Sequence, residues 1–244
     1  MKKQVIFLVV YSLAMGQHLS AQDPSADSAF YSRAISAARS QYMKNIGANS
    51  YLYNGVAYDR YWNGIIGHPF FMNEQFQQGS IYYDGSFYED VLLMYDIAHD
   101  QLVSKNFSKE VNISLLSSKI RYFTIGKNNF TRIMADSTNL SSLVTGFYEI
   151  LYKGKIIVLE RHEKRIEHSF RPEDNITKFT VHNDMYVFKD GKYHLITDES
   201  GLQSLFKEKR ADIRMFLNRR EINFKKDPEG TVMKVVIYYE QLKK

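Results

Sequence analysis

The pair Asp84-Gly85 lies in the middle of SIYYDGSFYEDV, residues 80–91, between two runs of aromatic and β-branched residues. Asp-Gly and Asn-Gly suit two-residue hairpin loops because both central residues take positive φ, and the flanking runs suit strands. The design recurs at Asn54-Gly55 within YLYNGVAY and at Asp190-Gly191 within MYVFKDGKYHLIT. A weaker version, Lys153-Gly154 within EILYKGKIIVLE, points to a different turn type. The glycines at 55, 85, 154 and 191 are unevenly spaced, so these are separate hairpins and not the fixed period of a propeller or solenoid. Punctuation of this kind confines much of the chain to antiparallel β architecture.

A two-residue loop at Asp84-Gly85 makes Tyr83 face Ser86, Tyr82 face Phe87 and Ile81 face Tyr88. One face of the hairpin then holds Tyr82 and Phe87, and the other holds Ile81, Tyr83 and Tyr88. Neither face is plainly polar. Either both are covered, or one carries an exposed aromatic patch able to stack on a ligand. The nearly unbroken apolar run over residues 91–97 reads as a strand buried on both sides and favours the core. Tyr82, Tyr83, Phe87 and Tyr88 are therefore core residues first and binding candidates second. Further strands are expected at 111–116, 119–125, 129–134, 146–152 and 155–170. Together they predict an antiparallel β body over 48–196, built of hairpins and meanders, sandwich- or barrel-like. Residues 59–79 form its longest loop.

The period turns helical after Thr197. Leu202, Leu205 and Phe206 share one face, Ile213, Phe216 and Leu217 a second, and Val232, Val235, Val236, Tyr239 and Leu242 a third. Asp227-Pro228 supplies an N-cap followed by proline at the first helical position. Residues 197–244 thus predict a helical segment packed back on the sheet. Before the β body, residues 22–47 read as a polar leader and a short helix with Phe30, Ile35, Ala38 and Tyr42 on one face and Asp27 or Ser28 as cap. The class is α+β.

At the N-terminus, Lys2 and Lys3 precede an apolar stretch from Val5 to Met15, and small residues follow at Ser20 and Ala21. That order defines a secretory signal peptide over 1–21, cut after Ala21 or, alternatively, after Gly16. The apolar stretch is too short to span a bilayer, and no later stretch approaches the length needed, so the mature chain has no transmembrane segment. The chain has no cysteine, which excludes disulfides, thiolate metal sites, a cysteine nucleophile and a lipoprotein anchor. The formal charge of +5, less Lys2 and Lys3, leaves about +3 on the mature chain. A balance so close to neutral does not call for nucleic acid.

The phosphate loop, the dinucleotide-binding glycine pattern, HExxH and GxSxG are all absent from the sequence. RHEKRIEH, residues 161–168, is the densest histidine cluster. On a strand, His162, Lys164, Ile166 and His168 share one face, and two imidazoles with a lysine between them make a poor metal site. No metal and no cofactor are expected. Asp96, His99 and Asp100 lie close together in YDIAHDQ, where carboxylates beside an imidazole suit acid–base work as well as an ordinary polar turn. Glu89 and Asp90 complete the carboxylates from which a hydrolase would draw a pair. Residues 207–226 carry Lys207, Lys209, Arg210, Arg214, Arg219, Arg220, Lys225 and Lys226 against Glu208, Asp212 and Glu221. Lys207, Arg210, Arg214, Arg219 and Arg220 are candidates for contact with an anionic surface, set against a solvated helix face whose acids and bases pair.

The strings GHPFF, GSIYYDGSFYEDVLLMYDIAHDQLV and LQSLFKEKRADIRMFLNRREINFKKDPEGTVMKVVIYYEQL, with the signal ending LSAQ, resemble a group of exported Bacteroidota proteins of unknown function. The resemblance spans about Tyr51 to Leu242. It implies a bacterial cell-envelope location and no activity, cofactor or site residue. The expected function is that of an exported, non-catalytic envelope module: periplasmic, outer-membrane-associated or extracellular, binding an envelope protein, glycan or lipid headgroup. The alternatives are an envelope hydrolase using an Asp/Glu pair and a small barrel holding an apolar ligand.

Overall fold

The computed structural model describes residues 52, 55–59, 61, 63–106, 111–135, 143–171 and 174–242, together with part of a helix between residues 30 and 41. The expected signal segment lies outside the described residues. The chain divides into two units, Met1–Gly47 and Ala48–Lys244. In the first, Phe30, Ile35 and Ala38 are helical and exposed; Asp27, Ser28 and Tyr42 fall outside the described residues.

The second unit contains eleven strands among the described residues: β1 (Val56–Ala57), β2 (Gln77–Tyr83), β3 (Ser86–Asp96), β4 (Gln101–Asn106), β5 (Val111–Ser114), β6 (Ile120–Ile125), β7 (Asn128–Ile133), β8 (Gly146–Lys153), β9 (Ile157–Arg171), β10 (Asp174–Lys189) and β11 (Lys192–Ile196). They form one sheet in the order β1-β5-β4-β3-β2-β6-β7-β8-β9-β10-β11, with every strand pairing antiparallel. Three helices follow: α1 (Glu199–Leu205), α2 (Arg210–Arg219) and α3 (Pro228–Leu242). The fold is α+β, as the residue patterns predict.

The turns follow the glycine chemistry. Asp84 and Gly85 have φ of 48° and 78°, and Asp190 and Gly191 have 53° and 78°, so both loops are tight with two left-handed residues. The expected pairs Tyr83–Ser86, Tyr82–Phe87 and Ile81–Tyr88 all form. The β8–β9 connection is longer, running through Gly154, Lys155 and Ile156 and closed by a bond from Gly154 N to Ile156 O (3.0 Å). Asn54-Gly55 departs from the hairpin reading. Gly55 lacks the positive φ that such a loop requires, and β1, which follows it, pairs with β5. Gly55 is required there for close approach, since a Cβ would stand 2.4 Å from the carbonyl oxygen of Ser114.

The sheet is strongly curled. β3 and β9 are five strand steps apart, about 24 Å in a flat sheet, yet Lys164 N donates to Ile97 O at 3.2 Å. The segment between Tyr58 and β2 fastens the curl. Ile66 bonds both Thr177 and Phe179 on β10, Phe71 N donates to Tyr95 O (2.8 Å), and Ile97 N donates to Pro69 O (3.0 Å). Lys164 Nζ, on β9, donates to the carbonyls of His68 and Phe70, each at 2.9 Å. Inside the curl Tyr95, Phe123, Phe130 and Phe147 pack edge-to-face or stacked, with centroids 4.7–5.9 Å apart.

The helices share a core with β9, β10 and β11. Val158, Met185, Val187 and Ile196 pack with Leu202, Phe206, Ile213, Leu217, Val232, Val235, Val236 and Tyr239. Asp198 and Asp227 cap α1 and α3 by accepting from Gly201 N (2.7 Å) and Gly230 N (2.9 Å). Glu240 on α3 accepts from Ile156 N (2.7 Å) and the Tyr152 hydroxyl (3.0 Å), which ties the last helix to the β8–β9 loop.

Candidate functional site

A cleft lies under the segment that fastens the curl. It has a volume of about 480 Å³ and is lined by Tyr58, Tyr61, Asn63, Gly64, Ile65, Gly67, Pro69, Phe70, Glu74, Phe76, Met94, Asn112 and Phe179. Its two tyrosines are held by Asp96, the last residue of β3, which is fully buried. Asp96 Oδ2 accepts from the Tyr58 hydroxyl at 2.9 Å, and the Tyr61 hydroxyl reaches both Asp96 oxygens at 3.2–3.3 Å. Asp96 Oδ1 also accepts from Ala98 N (2.9 Å) and His99 N (3.0 Å), which shapes the turn into β4. His99 stacks on Tyr61 with centroids 4.6 Å apart, and its Nδ1 bonds the Tyr61 hydroxyl and lies 3.2 Å from Asp96 Oδ2. The Phe179 ring meets Tyr61 edge-on at 5.1 Å. Burial, and then the Asp96 charge, push the Tyr61 hydroxyl well above the ordinary phenol range, so it remains a donor.

The structure separates the three residues of YDIAHDQ. Asp96 and His99 join the tyrosines at the cleft. Asp100 turns elsewhere, accepting from the Tyr95 hydroxyl at 2.6 Å and from Phe147 N at 3.4 Å. Among the described residues Asp96 and Asp100 share no hydrogen-bond partner, and Glu89 and Asp90 are exposed where β3 bulges. Burial raises the Asp100 carboxyl, against the opposing pull of the Tyr95 hydroxyl and Arg161. The folded state therefore holds this proton at a pH where the unfolded chain has released it, and stability from this site falls as pH rises through that window. Asp100→Asn is expected to flatten the dependence, so that its urea midpoint gains on the wild type between pH 4 and pH 7. A constant difference across that range would remove Asp100 as the source.

The hairpin rings divide between two environments. Tyr83 and Tyr88 are 2% and 8% exposed and closed to a ligand. Phe87 is 43% exposed and joins Tyr82 and Tyr122 on the open face, with the Tyr82–Tyr122 rings stacked at 5.4 Å. The run over 91–97 is buried as expected except at the half-buried Leu92, and the patch is the open half of the same hairpin. Lys207, Arg210, Arg214, Arg219 and Arg220 are all exposed on the helical segment. Lys209 pairs with Asp212 at 3.6 Å, and Glu208 turns inward to Lys189.

A second polar constellation is absent from the expectations. Glu149 and Glu160 stand directly opposite each other on β8 and β9, and His162 follows on the same face of β9. His162 Nε2 lies 2.7 Å from Glu149 and 3.8 Å from Glu160. The Phe71 ring covers His162 at 4.8 Å. RHEKRIEH read along one strand offered only His168 as a partner for His162. In the folded chain His168 bonds Thr177 instead (2.9 Å). The same-face spacing of Glu160 and His162 was available in the sequence, whereas the arrival of Glu149 depends on strand register.

Comparison with known proteins yields no relative: no family model, no curated protein and no solved structure matches the chain. No helix among the described residues is long and apolar enough to cross a membrane.

Proposed function

We propose that this chain is an exported, non-catalytic binding module of the bacterial cell envelope that takes an uncharged glycan fragment in the cleft between the 63–76 segment, β5 and β10. The observation that carries the reading is the preorganised aromatic lining. Tyr58 and Tyr61 are fixed by a buried carboxylate whose oxygens are already occupied, and Phe70, Phe76 and Phe179 add rings around the same space. Aromatic faces suit the C–H faces of a sugar, and Asn63, Glu74 and Asn112 supply groups for its hydroxyls. Export rests on the charged, apolar and small-residue order of residues 1–21, with the cut after Ala21 or, alternatively, after Gly16.

Titration of the mature chain with soluble envelope glycan fragments, read by amide chemical shifts or calorimetry, tests the reading. Saturable binding is expected, weakened about tenfold in Tyr61→Ala or Phe179→Ala through loss of one stacking ring. Fragments that leave the cleft resonances unmoved, or binding of equal strength in both variants, would end it.

One observation favours a second reading, an envelope hydrolase. Asp96 bonds His99 at Nδ1, and the His99 side chain is 55% exposed, so the ring combines a buried carboxylate partner with access from solvent, as a general base requires. On that reading His99→Gln abolishes turnover of a glycan or ester substrate while leaving its binding intact. On the binding reading no turnover is seen with either chain.

A further inference from the structure

We propose that Glu149, Glu160 and His162 form a binding site for one divalent first-row transition-metal ion. The site lies apart from the glycan cleft and does not depend on it. The three side chains come from neighbouring strands of the curled sheet, and their ligand atoms all lie within 4.8 Å of one another. Bonds of about 2.0–2.2 Å to an ion at the centre need ligand atoms about 3–4 Å apart, so the set contracts by side-chain adjustment alone. Glu149 and Glu160 are 7% and 5% exposed, and the His162 side chain is 10% exposed.

Charge is the second argument. Among the described residues, the only ion-pair partner of either glutamate is His162. Two carboxylates buried together in an aromatic surround, with one imidazole between them, offer a divalent ion a matching pair of negative ligands that burial makes costly to leave uncompensated. Outer contacts are also in place. Asn128 Nδ2 donates to Glu149 Oε1 at 2.6 Å, leaving Oε2 on the His162 side, and Asn183, opposite His162 on β10, bonds Glu160. Phe71 and Phe130 pack against the imidazole at 4.8 and 6.2 Å and hold its plane.

The donor set selects the class of ion. One imidazole with two carboxylates suits zinc, manganese or ferrous iron; calcium prefers an all-oxygen shell, and soft ions prefer sulfur ligands.

The test uses the full mature chain, stripped with chelator and titrated with zinc and with cobalt(II) at pH 7. One ion per chain, a raised melting temperature and a cobalt visible band are expected. Glu160→Gln and His162→Gln are each expected to weaken zinc about 100-fold, and His168→Gln to leave it unchanged. Where a variant fails to fold, X-ray absorption of the zinc-loaded wild type decides, with one imidazole and oxygen ligands expected. A folded wild type that binds no zinc saturably, an absorption spectrum with two or more imidazoles, or undiminished binding in folded Glu160→Gln would overturn the site.

Discussion

Asp96→Ala is expected to lower the stability of the folded chain by about 3–5 kcal/mol. The carboxylate is fully buried, accepts from two backbone amides and two tyrosine hydroxyls, and lies against His99 Nδ1. Each donor left without a partner in a buried place costs about 1–3 kcal/mol, reduced for Tyr61 because it is only partly buried and can find water. Asp96→Asn keeps one acceptor oxygen for the turn but sets an amide against the tyrosine hydroxyls, and should lose roughly half as much. Urea unfolding of the three chains measures the series. A loss below about 1 kcal/mol in Asp96→Ala would mean that the donors rehydrate and that Asp96 does not preorganise the cleft. The same substitution releases Tyr58 and Tyr61, so weaker ligand binding should accompany the lost stability.

Phe206→Ala should be comparably damaging, at about 3–5 kcal/mol, because it removes a fully buried ring where helices meet sheet. Phe206 packs on Tyr239 of α3 with centroids 4.5 Å apart, and Lys189 of β10 lies over its ring at 6.0 Å. The helical core is continuous with Val158, Met185 and Val187 on the sheet, so unfolding should remain one transition. Near-ultraviolet circular dichroism, which reports the buried rings of the sheet, and far-ultraviolet circular dichroism should therefore shift together. If the helical signal melts first while the sheet stays folded, residues 198–242 form a separable arm and the shared core is not cooperative.

The parts of the fold legible in the residues are those decided over a few neighbours. Asp84-Gly85 and Asp190-Gly191 adopt left-handed φ at both positions because few other pairs do so without strain, and the Tyr82–Phe87 pairing follows from the loop length. The stripe Val232, Val235, Val236 and Tyr239 behind the Asp227 cap is buried as its helical spacing predicts. Gly55 shows the limit of the same logic. Asn-Gly is a hairpin signal, but this glycine answers to Ser114, far along the chain, and no local pattern carries that constraint. The cluster in YDIAHDQ was legible as polar chemistry, yet its division into an Asp96–His99 pair and an Asp100–Tyr95 pair was not.

By itself, the order of residues determined the hairpins, the helix faces and caps, the α+β class and the absence of thiol chemistry. These depend on backbone preference and on apolar spacing within a few residues. Only the tertiary structure decided that β3 and β9 meet, that Tyr58 and Tyr61 share one buried carboxylate, and that Glu149 stands against Glu160 and His162. Those meetings depend on how far the sheet curls and on which rung of one strand faces which rung of the next. Both are set by packing summed over the whole core.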